Sequence, residues 1–340
     1  MNNLTNDFSD VNIRVYSAGG AGINVISELD AIRSEPAHGF ATMLPCYIDT
    51  SASNIRSKKL PEDAVYTFDG MDGSGKVRST NYEDVSKNAK AILLKYKPTA
   101  FNIVVHSGSG GSGSIIAPIL VSELKARGHQ VIVLLIGSTD TRIEIENTIK
   151  TLKSYESIAD KRNSPVVVYY AENTQHQSRF EVNRMVKHAI GLLMGLFSGQ
   201  NSELDTADLK NWLEYTNITK TQARLASLTF AVTKEELSDA GTVISVATLA
   251  MPEVDTRVEQ TPAYQCVGYA PACWRTGAPN SLQLLGDSPI HFCISDDFIT
   301  RANDKLTQQL REVDDIFNSR NARNSILDKG DARTEHGVVL

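Results

Sequence analysis

Residues 106–118 read His106-Ser107-Gly108-Ser109-Gly110-Gly111-Ser112-Gly113-Ser114-Ile115-Ile116-Ala117-Pro118. The run before this loop, 102–106 (NIVVH), is β-branched and reads as a strand. The run after it, 115–127, has the apolar spacing of a helix. Glycine lets a backbone approach a phosphate closely, and successive N–H groups at a helix start make an anion site. The serine hydroxyls add donors. Taken alone, the loop also reads as a flexible Gly/Ser turn. A second loop of the same build weakens that plainer reading. Ser17-Ala18-Gly19-Gly20-Ala21-Gly22-Ile23-Asn24 follows a strand at 12–16 (NIRVY) and opens a helix near 23–32. Two such loops at the carboxyl edge of one parallel sheet would converge on one polyphosphate.

Outward from these loops, strands and helices alternate. Strands are expected at 46–49, 64–68, 130–137 (QVIVLLIG) and 165–171 (PVVVYYA), and helices at 84–96 and 143–159. The last two strands are near-continuous apolar runs, as in strands buried on both faces. The pattern predicts an α/β fold, a parallel sheet with helices on both faces. A long helix at 178–198 follows, apolar in its second half. Strands are then expected at 228–232, 242–249, 264–269 and 290–295, a charged amphipathic helix at 296–318, and a flexible tail after about residue 323. The division this suggests is 1–177 for the parallel-sheet domain, 178–200 for the central helix, 201–295 for a smaller α+β domain, and 296–340 for a C-terminal helix and tail.

With 340 residues, 41% apolar and 22% charged, the composition is that of an ordinary soluble chain. A formal net charge of −6 argues against a general nucleic-acid binder, which needs a basic face. The four cysteines contain no C-x-x-C pair and the seven histidines no metal-ligand spacing, so no protein-built metal site is expected. The polar, acidic N-terminus is unlike a signal peptide, and no apolar run reaches membrane-spanning length. A cytoplasmic protein is expected.

Two common nucleotide fingerprints fail. Gly20-x-Gly22-x-x runs into Val25, where a dinucleotide motif wants a third small residue. Gly70-Met71-Asp72-Gly73-Ser74-Gly75-Lys76 matches a P-loop until Val77, where a magnesium-binding hydroxyl should stand. A non-polymerising P-loop-type NTPase is the competing reading. The other is that this loop is one more glycine-rich cover over the same site.

The run Ser109 to Pro118 resembles the signature loop of the tubulin/FtsZ superfamily, G-G-G-T-G-[ST]-G reading on into A-P. Gly19, Gly20, Gly22 and Asn24 resemble the family's first nucleotide loop, G-x-G-G-x-G-x-N. The short motifs and the missing long acidic tail point to its bacteriophage or plasmid branch, the phage tubulins. The resemblance implies a GTPase that binds GTP or GDP and assembles head to tail into a homopolymer in the host bacterial cytoplasm. It implies magnesium held mainly by phosphates and water; with the charge and the short apolar runs, no direct nucleic-acid contact and no membrane are expected. Gly110, Gly111, Ser112, Gly113 and Ser114 would cradle phosphates, with Asp49 and Thr50 beside them and 70–76 sensing the γ-phosphate. Ser51 stands where many relatives carry a carboxylate. Glu144 resembles the ribose-binding acid, and Asn173 and Asn183 the two readers of guanine. Phe180 resembles the aromatic that stacks on the base, three residues before the reader instead of four.

Beyond the long helix, Asn201-Ser202-Glu203-Leu204-Asp205-Thr206-Ala207-Asp208 resembles the family's N-x-D-x-x-D loop. Carboxylates here could polarise a water for attack on a phosphate. Without that context, Asp205 and Asp208 read as the acidic first turn of the next helix. The long helix spans roughly 30 Å, so if its start binds guanine, the aspartates serve a nucleotide on a neighbour. Asp208 is then the expected main catalytic residue, Asp205 its partner and Glu203 a third candidate. By the same resemblance the C-terminal tail reaches the adjacent subunit, with Asp314 and Asp315 pairing with basic residues there.

Overall fold

The computed structural model describes residues 11–32, 41–270 and 288–321. In chain order the elements are β1 (Asn12–Ala18), α1 (Gly19–Ile32), β2 (Thr42–Asp49), α2 (Ala52–Arg56), β3 (Val65–Thr67), α3 (Tyr82–Lys95), β4 (Phe101–Ser107), α4 (Gly113–Ala126), β5 (Gln130–Ser138) and α5 (Arg142–Arg162). Then come β6 (Val166–Asn173), α6 (Arg179–Leu196), α7 (Thr206–Leu213), β7 (Leu225–Ala231), α8 (Lys234–Asp239), β8 (Val243–Ala250), β9 (Tyr264–Tyr269), β10 (Ile290–Ser295) and α9 (Asp297–Asn321). The expected strand–helix alternation is present, and boundaries shift by a few residues.

One ten-stranded sheet runs through the described residues in the order β3-β2-β1-β4-β5-β6-β7-β10-β8-β9. From β3 to β7 every pairing is parallel; β10 is antiparallel to both β7 and β8, and β9 is parallel to β8. The strands that follow α7 join the sheet at β7, and the direction changes one strand later, at β10. β7 starts three residues earlier than its apolar run suggested, because Leu225, Ala226 and Ser227 pair with Val166, Val167 and Val168. Partner strands, not propensity, decide that boundary.

All nine residues of β5 are buried. Its alternate side chains enter opposite cores, since successive strand residues point to opposite faces. Ile132, Leu134 and Ile136 join α1, α6 and α7 on one face. Val131, Val133 and Leu135 join α3, α4, α5 and α9 on the other. The amphipathic α9 docks through Ile299 and Leu306. It is also tied by Lys305 to Glu172 (3.3 Å) and by Asp314 to Arg142. Asp314 therefore has a basic partner in its own chain, where a partner on a neighbour had been expected. Packing of α9 against α5 brings the two side chains together. The expected tail after residue 323, and Cys273, lie outside the described residues; Cys46, Cys266 and Cys293 are buried free thiols.

Candidate functional site

The parallel strands end level with one another. Ala18 is in register with Ile48 and with His106, Ser107 with Ile136, and Ser138 with Asn173. The loops after β1, β2, β4, β5 and β6 thus leave one edge of the sheet side by side. The glycines in two of them are steric necessities. A Cβ on Gly19, which has φ +73°, would lie 2.8 Å from the Gly113 amide nitrogen. One on Gly22 would run into the Val105 carbonyl, and one on Gly113 would meet the Ala18 carbonyl at 2.7 Å. The N-termini of α1 and α4 are thereby pressed together. Neither carries an acidic residue in its first turn, and Ser112 makes no side-chain cap. Two adjacent helix starts without carboxylates favour an anion. Gly110 has open space where a side chain would stand.

Polar groups line the floor. Thr50 Oγ1 and Ser112 Oγ are 2.6 Å apart. Asp49 is fully buried and accepts from Asn54 Nδ2 (2.8 Å) and the Ser51 amide (3.1 Å). Burial pushes its carboxyl above the ordinary value, against the pull of hydrogen bonds from Asn54, Ser51, Ser112 and Thr50. Asn54 also explains Gly20, whose Cβ would sit 2.9 Å from its Nδ2. The loop 70–76 lies across the signature loop: Gly73 N donates to Thr50 O (2.9 Å), and a Cβ on Gly111 would run into Ser74. Asn147 Nδ2 donates to both Lys76 O (2.9 Å) and Ser109 O (3.0 Å), joining the two loops. This is not the context of a P-loop. A 3-10 turn (Arg78–Asn81) follows, so the glycines wrap no helix start. The arrangement matches the expectation of a glycine-rich cover.

The far end of the edge holds the remaining candidates. Glu144, in the first turn of α5, is buried and accepts from Lys76 Nζ (2.9 Å) and Thr141 Oγ1 (2.9 Å). Burial pushes its pKa up, but the Lys76 and Thr141 hydrogen bonds outweigh that and hold it below the ordinary value. Asn173 ends β6, and its carbonyl accepts from the Thr139 amide (3.2 Å). Its side-chain Oδ1 is buried without a hydrogen-bond partner among the described residues. An unpaired buried acceptor costs free energy unless a ligand satisfies it. A capping box starts α6, with Ser178 N donating to Glu181 Oε2 and Glu181 N to Ser178 Oγ. Lys187 on α6 pairs with Glu28 on α1 at 2.9 Å. Asn183 and Asn24 stand four residues earlier on those helices, one turn nearer the edge on the same sides. Phe180 is 74% exposed there.

Asp205 and Asp208 lie elsewhere. The eighteen residues of α6 carry the chain about 27 Å. The helix ends at the opposite, amino edge of the sheet, where Met194 O accepts from Ala41 N and Gly199 abuts Val11. Asp205 is the N-cap of α7: Oδ1 accepts from the amides of Ala207 (2.7 Å) and Asp208 (2.9 Å). Asp208 completes the box by accepting from Asp205 N (3.2 Å), and its Oδ1 accepts from Tyr264 Oη (3.1 Å). The helix-start reading therefore holds, and it also fixes both carboxylates. Glu203 is exposed at φ +68°. Asn54, Asn147 and Tyr264 were missed in the sequence. The tie from Lys76 to Glu144 had no signal there either, since the partners are 68 residues apart.

Among the described residues no helix is long and apolar enough to cross a membrane, and no group of three or more His, Cys, Asp or Glu is placed to hold a metal ion. No family model matches the chain. Across 98% of its length it is 29% identical to a phage tubulin-like protein of Pseudomonas phage PhiPA3, covering 100% of that relative. In structure it is similar to the protofilament of TubZ from bacteriophage PhiKZ, at 27% identity and a TM-score of 0.78, covering 97% of this chain and 99% of that one. It is also similar to the GDP complex of the phage tubulin PhuZ, at 25% identity and a TM-score of 0.82, covering 97% and 100%.

Proposed function

Because this chain belongs to the tubulin/FtsZ superfamily, we propose that it binds GTP at the carboxyl edge and hydrolyses it between head-to-tail subunits of a filament. The phosphates sit on the starts of α1 and α4, over Gly19, Gly20, Gly22 and Gly110 to Ser114. Glu144 accepts from the ribose and Asn173 and Asn183 read guanine, giving the unpaired Asn173 Oδ1 its donor. Phe180 flanks the base. Asp49 and Thr50 line the floor beside the phosphates, where magnesium, when bound, would add charge neutralisation. In this reading residues 1–177 hold most of the nucleotide, 178–200 add Phe180 and Asn183 and span the subunit, and 201–295 present the carboxylates.

The observation that carries the proposal is the placement of Asp205 and Asp208 at the edge opposite the glycine cradle. They are out of reach of their own nucleotide. A surface that meets a different surface on the next copy is heterologous, and its repetition gives an open filament. Each subunit's Asp208, positioned by Tyr264 and the α7 start, faces the γ-phosphate on its neighbour. It takes a proton from a water as the water oxygen bonds to phosphorus and the bond to the β-phosphate oxygen breaks, leaving GDP and phosphate. The tail of one subunit reaches the next. In a cell, such a filament positions or moves phage DNA or particles in the host cytoplasm, a role argued from fold-level analogy.

Light scattering across a protein concentration series after GTP addition tests this. Wild type is expected to assemble above a critical concentration and to disassemble as GTP is consumed. Asp208→Ala is expected to assemble and persist, with turnover reduced about a hundredfold; a chain ending at Asn318 should assemble only at higher concentration. Turnover strictly proportional to protein, without scattering at any concentration, would overturn the filament reading.

A further inference from the structure

The near-P-loop run 70–76 ends in a lysine whose placement goes beyond covering the site. Lys76 Nζ lies 2.9 Å from Glu144 Oε1, and the two side chains are 49% and 7% exposed. The acid is buried and the base half-exposed. The Lys76 backbone, by contrast, is pinned: its carbonyl accepts from Asn147, which also holds Ser109 O. The carbonyl carbon of Lys76 lies 3.1 Å from where a Cβ on Gly111 would be, directly over the signature loop. Lys76 adopts φ +66°, and Gly70, Gly73 and Gly75 have φ +74°, +84° and +55°. A side-chain-bearing residue is rare in that region and persists where surrounding contacts impose it.

The flexible four-carbon stem thus starts from a backbone packed against Gly111, two residues before α4, and ends on Glu144. Thr141 and Ser138 also donate to Glu144, at 2.9 and 3.5 Å, so the acid keeps partners when the lysine leaves. We propose that Lys76 is a phosphate-binding residue that exchanges Glu144 for the phosphates of a bound nucleotide, releasing Glu144 to accept from the ribose. The proposal rests on the nucleotide reading above. It gives Lys76 the work of a P-loop lysine, an ammonium set against the outer phosphates, on a loop that otherwise lacks the P-loop's helix and hydroxyl.

The test is competition of GTP, GDP and guanosine against a fluorescent guanine nucleotide, below the concentration at which the protein assembles. Wild type, Lys76→Ala and Lys76→Arg are compared, with their melting temperatures measured alongside. Lys76→Ala is expected to lose about tenfold or more in affinity for GTP and GDP while binding guanosine as wild type or more tightly. Lys76→Arg should recover most of the loss at an unchanged melting temperature. Equal losses for guanosine and GTP, or no loss for any, would overturn the role of Lys76. A wild type without affinity for any guanine compound would instead overturn the nucleotide reading beneath it.

Discussion

His106 sits beneath the signature loop, fully buried at the end of β4. Its Nδ1 donates to the Ser107 carbonyl (3.1 Å) and its Nε2 accepts from the Tyr155 hydroxyl (2.6 Å). That tautomer is neutral, and burial pushes its pKa from 6.5 down to about 3. The unfolded chain therefore binds the extra proton first. This contribution to stability is whole above pH 6.5 and drains away as pH falls toward 3, by up to about 1.4 kcal/mol per unit. Urea midpoints at pH 7 and pH 5 should show wild type losing up to about 2 kcal/mol more than His106→Gln, which keeps a donor and an acceptor. His129, His188 and His291 are also lowered by burial and should leave the variant with a shallower acid slope of its own. Equal slopes in the two proteins would relieve His106 of this part.

At the scale of the element, α7 shows one residue with two duties. Asp205 caps the helix and is also the proposed partner of Asp208. Asparagine caps nearly as well as aspartate but carries no charge. Asp205→Ala should cost about 1 kcal/mol in urea unfolding, and Asp205→Asn only a few tenths. Both should slow GTP turnover in assembled filaments. An Asp205→Asn protein that hydrolyses GTP as wild type does would reduce Asp205 to a cap. The C-terminal helix α9 draws its hold from Ile299 and Leu306 in the core. Its half-exposed ion pair from Asp314 to Arg142 adds little by itself.

At the scale of the molecule, the two halves of the proposed active site belong to opposite ends of one subunit, so they can be broken separately and recombined. Asn173→Leu removes a buried acceptor that has no partner among the described residues, which should leave folding intact and abolish nucleotide binding. Asp208→Ala should bind nucleotide and hydrolyse it only slowly. In an equimolar copolymer, roughly a quarter of the head-to-tail contacts join a nucleotide on the Asp208→Ala subunit to an intact Asp208 on the other. The mixture should therefore turn over GTP faster than the sum of the two variants alone. A mixture no faster than that sum would place the carboxylates outside the active site.

Much of the fold was written in short-range pattern. The period of apolar residues and the glycine loops after β1 and β4 announced a parallel sheet with closely packed glycine-rich helix starts at its carboxyl edge, because strand, helix and close backbone approach are constraints on neighbouring residues. Resemblance gave Asn173 and Glu144 nucleotide roles, and both residues stand at the carboxyl edge of the sheet. What spacing could not announce was who meets whom. Lys76 reaches Glu144 across 68 residues and Tyr264 reaches Asp208 across 56. The loop 70–76 became a cover instead of a P-loop because of what it packs against. Leu225 to Ser227 became strand because β6 lay beside them. Such contacts are set by the order of strands and the packing of helices, and a linear chain records them only once it has folded.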